Sequence, residues 1–488
     1  MSSRWALFLF FLIFLFFPYG LLLSKFEIVQ TIDMSEMRWA LENTIWQSLW
    51  SSLGAFLLGL WMVLGFFFLQ VRLSQGLRKF LEVLLILPSL LPPLFALLVT
   101  MDFVQPFPMG FIGVILIHVF MNAGLVSLLL RNLIETKMRP LVESAYVEGA
   151  SRFQVLKALT GMARRDLFAI FLFVFVICFS SFSIPLVAGG GKATTLEILI
   201  YEKIRISGAW GEALGLALIQ LLIIFLFSIL PFRAQKKLFG ASPDLPLLRS
   251  RSGAVILSFY VLAPLIYFLV QSLVGWPHVF RIPGLWQQAL SLVPFTFFFA
   301  LSVGFLTALL LLLSAWHSPF PLLNRLIMGM LSPSTALLGF ALLFFFSNEG
   351  RWGEVKWILG FSYLIFSTLY RWGWDQELSG LQDQVRVAQT MGASSSLIWG
   401  HILLPQLLRP LGQAAGLASV WALGDFALGK ILIGENITLS LLIETLMSSY
   451  RLQSALALMG LVFIMAAICF LFFWGLAYVC RRAIEQKI

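Results

Sequence analysis

The chain has 488 residues, 60% of them apolar and only 11% charged, with 48 phenylalanines and a mean hydropathy of +0.94. So little polar surface cannot cover so large an apolar content in water, which excludes a soluble globular domain and predicts an all-α integral membrane protein. The net charge of +10 invites a nucleic-acid reading, and only the placement of the basic residues can decide it.

Apolar runs of about 20 residues, long enough for a helix to cross a hydrocarbon core of roughly 30 Å, recur along the whole chain. The first, near 5–23, lacks a small-x-small cleavage pattern and is expected to stay as a helix rather than be removed as a signal. Further spans are predicted near 44–70, 80–101, 110–130, 167–188 and 211–231. Residues 232–252 contain a glycine, two prolines and five basic residues, and read as a cytoplasmic linker. Spans then resume near 253–275, 288–314, 322–347, 355–370, 410–429 and 453–479. The expectation is about twelve transmembrane helices as two tandem six-helix bundles, the halves being 1–231 and 253–488. With the N-terminus inside, most of the 33 lysines and arginines fall on the cytoplasmic side, as the positive-inside rule requires. The basic excess therefore reports topology, with the lipid bilayer as partner, both termini cytoplasmic and no nucleic acid.

The chain also matches itself at an offset close to half its length. Pro88-Ser89 corresponds to Pro333-Ser334, Gly149-Ala150-Ser151 to Gly392-Ala393-Ser394, and Thr195-Leu196 to Thr438-Leu439. Six spans per half is an even number, so the copies share one orientation, as parallel repeats do. The loop after the fourth span of each half carries a related polar segment: ESAYVEGASRFQVLKALTGM at 143–162 and RVAQTMGASSSLIWGHILLP at 386–405. In each, a short apolar stripe at helical spacing precedes and follows a glycine able to take a positive φ, so Gly149 and Gly392 are expected to end one helix and turn the chain into the next. Pro405 is expected to mark entry to the following span. Amphipathic connectors lying on the membrane surface would account for part of this pattern.

These segments resemble the cytoplasmic signature of the permease subunits of binding-protein-dependent (type I) ABC importers: E-A-A, three residues, G, nine residues, I-x-L-P. The first copy carries Glu143, Ala145 and Gly149 but has Met162 where the proline belongs. The second carries Ala388, Gly392, Ile402, Leu404 and Pro405 but has Arg386 where the glutamate belongs. The resemblance implies coupling helices near 141–160 and 384–405, each seated in one of two copies of a separate ATPase. SFSIPLVAGGGKATTLEILIYEKI at 181–204 and ALGDFALGKILIGENITL at 422–439 are similar to the fused permeases of the ferric-iron and thiamine group, the thiamine members being the nearer. That implies a permease in the cell inner membrane, a periplasmic or other extracytoplasmic solute-binding protein as partner, and ATP and Mg held by the ATPases, with no cofactor on this chain. The substrate would be thiamine, its phosphates or ferric iron.

Other features point elsewhere or stay open. Gly189 to Thr195 suggests a phosphate loop, but Leu186 replaces the first glycine, Ala193 follows the lysine, and the predicted topology puts the stretch outside. Asp425, inside a span, and its repeat counterpart Ser181 are expected either to line a polar pathway between the halves or to make structural hydrogen bonds. His118 and Asn122 share one face of the fourth span and allow the same two readings. The histidines form no cluster at catalytic or metal-ligand spacing, and Cys178, Cys469 and Cys480 suit packing, so an enzyme is not expected. The rival class is a secondary transporter with two six-helix halves, which would run on an ion gradient and need no ATPase.

Overall fold

A computed structural model describes residues 2–25, 28–29, 31–228, 248–316, 334–344 and 352–486. Every regular element among them is helical. The first half contains α1 (Ser2–Ser24), α2 (Met34–Gln70), α3 (Gln75–Leu90), α4 (Pro93–Phe103), α5 (Phe111–Leu133), α6 (Arg139–Val147), α7 (Arg152–Phe179), α8 (Ser183–Ala188), α9 (Leu196–Arg205) and α10 (Trp210–Ser228). The second contains α11 (Arg251–Val274), α12 (Trp276–Arg281), α13 (Leu285–Trp316), α14 (Thr335–Leu343), α15 (Trp352–Leu369), α16 (Asp375–Thr390), α17 (Ser395–Leu397), α18 (Leu404–Leu423), α19 (Ala427–Leu432), α20 (Leu439–Ser448) and α21 (Leu452–Glu485). Most of the linker expected at 232–252, together with Pro333, lies outside the described residues.

Among the described residues, five stretches are long and apolar enough to cross a bilayer: Met34–Gln70, Phe111–Leu133, Arg251–Arg281, Leu285–Ala315 and Leu452–Glu485. Other apolar helices, such as Pro93–Phe103 and Leu439–Ser448, are shorter. Most of the span expected at 322–347 lies outside the described residues, and among the described residues three of the expected spans are interrupted. The run 80–101 breaks at Leu91 and Pro92, both extended with ψ of 153° and 147°, because a residue ahead of proline is pushed out of the helical region and Pro93 can only begin a helix. The runs 167–188 and 410–429 break after Phe179 and Leu423, and each is followed by a six-residue helix. Hydropathy cannot register these breaks, since the residues on both sides are apolar.

The internal repeat extends to single hydrogen bonds. The N–H of Leu196, opening α9, is donated to Thr44 Oγ1 at 2.9 Å, and the N–H of Leu439, opening α20, to Thr296 Oγ1 at 3.0 Å. Helix starts leave amides unpaired, and a threonine from a neighbouring helix supplies the acceptor in both halves.

Each half also lends its first helix to the other. On α1, Phe11 stacks on Phe366 at 5.8 Å, Phe14 meets Tyr363 edge-on at 5.2 Å, and the Tyr363 hydroxyl donates to the Leu15 carbonyl at 2.9 Å. In return α11 lies on α2 and α5. Gly65 and Gly253 bring the backbones so close that a Cβ on Gly65 would stand 2.1 Å from the Gly253 carbonyl carbon. Tyr260 donates to the Phe120 carbonyl at 2.5 Å and accepts from the Gly124 N–H at 3.1 Å. Small residues permit such approach, and internal hydrogen bonds are needed where water is excluded. A single apolar core spans the halves, from Leu94 and Phe179 on one side to Phe340 and Leu423 on the other.

Candidate coupling segments and the cavity between the halves

The two polar segments have matching geometry. α6 ends at Val147 and α16 at Thr390, and the next glycines, Gly149 and Gly392, adopt φ of +75° and +80°. Past each glycine the chain folds back, Ala150 N–H donating to the Ala145 carbonyl at 2.9 Å and Ala393 N–H to the Ala388 carbonyl at 3.0 Å. Backward bonds of this kind satisfy the last carbonyls of a helix when a left-handed residue follows it. Ser151 and Ser394 then cap the following helices, Ser151 within a reciprocal capping box with Gln154. Glu143, Gly149 and Gly392 are exposed, while Ala145 and Ala388 are half-buried. The apolar side chains around the turns face outward: Val147 is 85% exposed, Phe153 76% and Met391 81%.

After this turn the copies diverge. In the first, α7 runs unbroken from Arg152 to Phe179. In the second, a π-helical stretch, Ile398–Leu403, intervenes before α18, whose second residue is Pro405. Proline has no N–H to complete the α-helical ladder, and one wide turn ahead of it absorbs the mismatch. Pro405 thus opens the next α-helix, as expected, but from a continuous helical path rather than a loop. It is buried, with Ile402 and Leu404 half-buried and Leu404 packed on the second-half core. Gln406 Nε2 donates to Gln384 Oε1 at 2.7 Å, tying α18 to α16.

A cavity of about 270 Å³ lies between the halves. Its walls include repeat-related pairs, Ile177 with Trp421 and Ser183 with Ala427, as well as the starts of α4 at Pro93 and α14 at Thr335. Asp425 lines it and is also structurally held: Trp357 Nε1 donates to Oδ2 at 2.6 Å, and the Leu428 N–H to Oδ1 at 3.4 Å. The adjacent Gly424 rests on Pro92, where a Cβ would approach the proline Cβ to 2.0 Å. Ser181 sits at the equivalent break after α7, its N–H donated to the Cys178 carbonyl at 3.3 Å, and the wall residue on that side is Ser183. His118 and Asn122 lie inside the first half instead. His118 Nδ1 is 3.5 Å from Ser51 Oγ on α2, and Asn122 Nδ2 donates to the His118 carbonyl at 2.9 Å and faces Cys178 Sγ at 3.7 Å.

Two residues that sequence reasoning did not single out belong to this region. Glu197, fully buried on α9, accepts from Gln220 Nε2 at 2.5 Å and from the Ala336 N–H at 3.0 Å, so a first-half carboxyl group caps the second-half helix α14. Arg371, in the π-helical stretch Tyr370–Trp374 after α15, lines the cavity. The positive-inside pattern absorbed it as one more cytoplasmic charge.

Known transport proteins resemble the chain in sequence. Residues 55–239 match the family described as "Binding-protein-dependent transport system inner membrane component". The chain is 26% identical over 404 residues to the thiamine transport system permease protein ThiP of Salmonella typhimurium, covering 75% of this chain and 72% of the relative. The Escherichia coli protein of the same name is 25% identical over 403 residues, with the same coverage. That of Brucella suis is 29% identical over 130 residues, or 26% of this chain and 24% of the relative. No solved structure matches. Over residues 55–239 the chain is thus similar to the inner membrane component of binding-protein-dependent transport systems, and over most of its length it is distantly related to permeases named for thiamine transport.

Proposed function

We propose that this chain forms the whole translocation pathway of an ABC importer, as twelve transmembrane helices in two six-helix halves with both termini cytoplasmic. The supporting observation is the pairing of one cavity between the halves with two geometrically matched, outward-facing segments, one in each half. Two copies of a separate ATPase dock on the segments around Gly149 and Gly392. A solute-binding protein delivers substrate at the opposite face. ATP-driven closure of the ATPases moves the two segments together and switches the cavity between its two openings, which links distant sites through one two-state element. Each segment is suited to pass on a push, because it is stapled to its own turn by the Ala145 or Ala388 carbonyl.

The substrate proposed is thiamine or one of its phosphates. The relatives named for thiamine transport support it, and a pocket of this volume lined by Phe173, Phe361 and Trp421 suits a small aromatic solute. Ferric iron has no support in these relatives. The test is uptake of labelled thiamine and thiamine monophosphate into proteoliposomes holding the full chain, its ATPase and its binding protein. ATP-dependent accumulation is expected. Accumulation driven by a proton or sodium gradient with the ATPase left out would overturn the proposal.

A further inference from the structure

Arg371 is an unusual charge in this molecule. Its Nε donates to the Ser367 carbonyl at 3.0 Å, but its Nη1 is buried and finds no hydrogen-bond partner among the described residues. No carboxylate pairs with it among those residues either. Arg131, at the cytoplasmic end of the corresponding fourth span of the first half, is treated differently. It pairs with Glu82 at 2.8 Å and Glu135 at 2.9 Å, and its guanidinium lies 4.1 Å from the centre of the Phe66 ring. Arg371 is half-buried as a residue, but a guanidinium N–H enclosed without an acceptor is costly and is retained where something else supplies the partner. Arg371 differs from Arg131 in one further respect: it lines the cavity between the halves.

We infer that Arg371 is an anion-accepting subsite of this cavity, and that the transported solute carries a phosphate or carboxylate group that docks on it. This rests on the cavity being the translocation pathway. A guanidinium is the side chain suited to planar, two-point recognition of such groups. Asp425, which also lines the cavity, supplies the opposite charge, and Thr368 adds a hydroxyl one turn before Arg371. The cavity thereby accepts an amphoteric aromatic molecule, with its cationic part toward Asp425 and its anionic group toward Arg371. For the thiamine reading, this selects a phosphate ester over the free alcohol.

The full chain in lipid nanodiscs is titrated by calorimetry with thiamine, thiamine monophosphate and phenyl phosphate. Thiamine monophosphate is expected to bind at least ten-fold tighter than thiamine, a difference of about 1.4 kcal/mol. R371Q should abolish that preference, and R371K should retain part of it. D425N should weaken thiamine and its monophosphate in parallel. Monodispersity and the melting profile show which variants are folded, and R371K decides if R371Q is not. The subsite is overturned if no phosphate-bearing probe binds tighter than thiamine, or if the preference survives in a folded Arg371 variant. Thiamine binding without phosphate preference removes the subsite and leaves the thiamine reading. Phenyl phosphate binding that is lost in R371Q, with thiamine not binding at all, removes the thiamine reading and leaves the subsite.

Discussion

Gly149 and Gly392 show how much one backbone angle can carry. Nothing lies within 4 Å of a Cβ built on either, so a side chain there meets no clash, and its penalty comes from the positive φ alone. For a β-branched residue that penalty is about 1–2 kcal/mol, whereas asparagine tolerates this region. Gly392→Val is therefore expected to cut ATP-dependent uptake several-fold while the protein stays folded, and Gly392→Asn to keep most of it. Equal uptake by the two variants would disconnect the turn from coupling. Glu197 makes a complementary case in the interior. Glu197→Ala leaves the Ala336 N–H and the Gln220 amide without their acceptor, a loss of about 1–3 kcal/mol, and should lower the Tm in detergent more than Glu197→Gln does. The glycines were legible in the sequence because each signals locally and both recur. Glu197 was not, because its partner amide is 139 residues away and no local pattern announces it. Arg371 was obscured by a rule that explains arginines near span ends collectively.

At the level of elements, the sequence located apolar stretches well and their interruptions poorly. The breaks after Phe179 and Leu423 stand where polar and small residues meet the cavity, and packing across the halves sets them, as at Gly424 against Pro92. The π-helical stretch Ile398–Leu403 is the element-scale difference between the two segments proposed for coupling, and it runs directly into Pro405. Pro405→Ala restores an N–H and lets an ordinary α-helix propagate through 398–404, rotating the turn at Gly392 relative to α18. The expected result is a folded protein that still recruits its ATPase in a pull-down but moves less substrate per ATP hydrolysed. An unchanged ratio of transport to hydrolysis would make the π-helical stretch irrelevant to coupling. The threonine acceptors allow a symmetric test. Thr44→Val and Thr296→Val each strand a buried amide, at about 1–3 kcal/mol, and should lower the Tm by similar amounts.

For the molecule as a whole, the sequence pointed to two copies in one orientation but gave no sign that the copies interlock. α1 and α11 are apolar all round, so nothing in their residue pattern says which neighbour each will choose. In the structure α1 grips Tyr363 and Phe366 while α11 inserts against Gly65 and Tyr260 reaches Phe120, so neither half is complete without the other. Removing residues 2–25 should therefore expose the second half more than the first. Hydrogen exchange is expected to speed up across Trp352–Leu369 and to stay slow across Met34–Gln70, and the reverse pattern would refute the interlock.

The exchange of first helices also dictates a schedule. Leu15 and its partner Tyr363 are 348 residues apart, so α1 leaves the ribosome long before its seat has been made. At about 5–20 residues per second, that wait is roughly 20–70 s. A lipid surrounding is tolerable meanwhile for a helix rich in leucine and phenylalanine with no charged residue beyond Arg4. Its uniform apolarity, which hides its destination from a reader of the sequence, is what lets it wait.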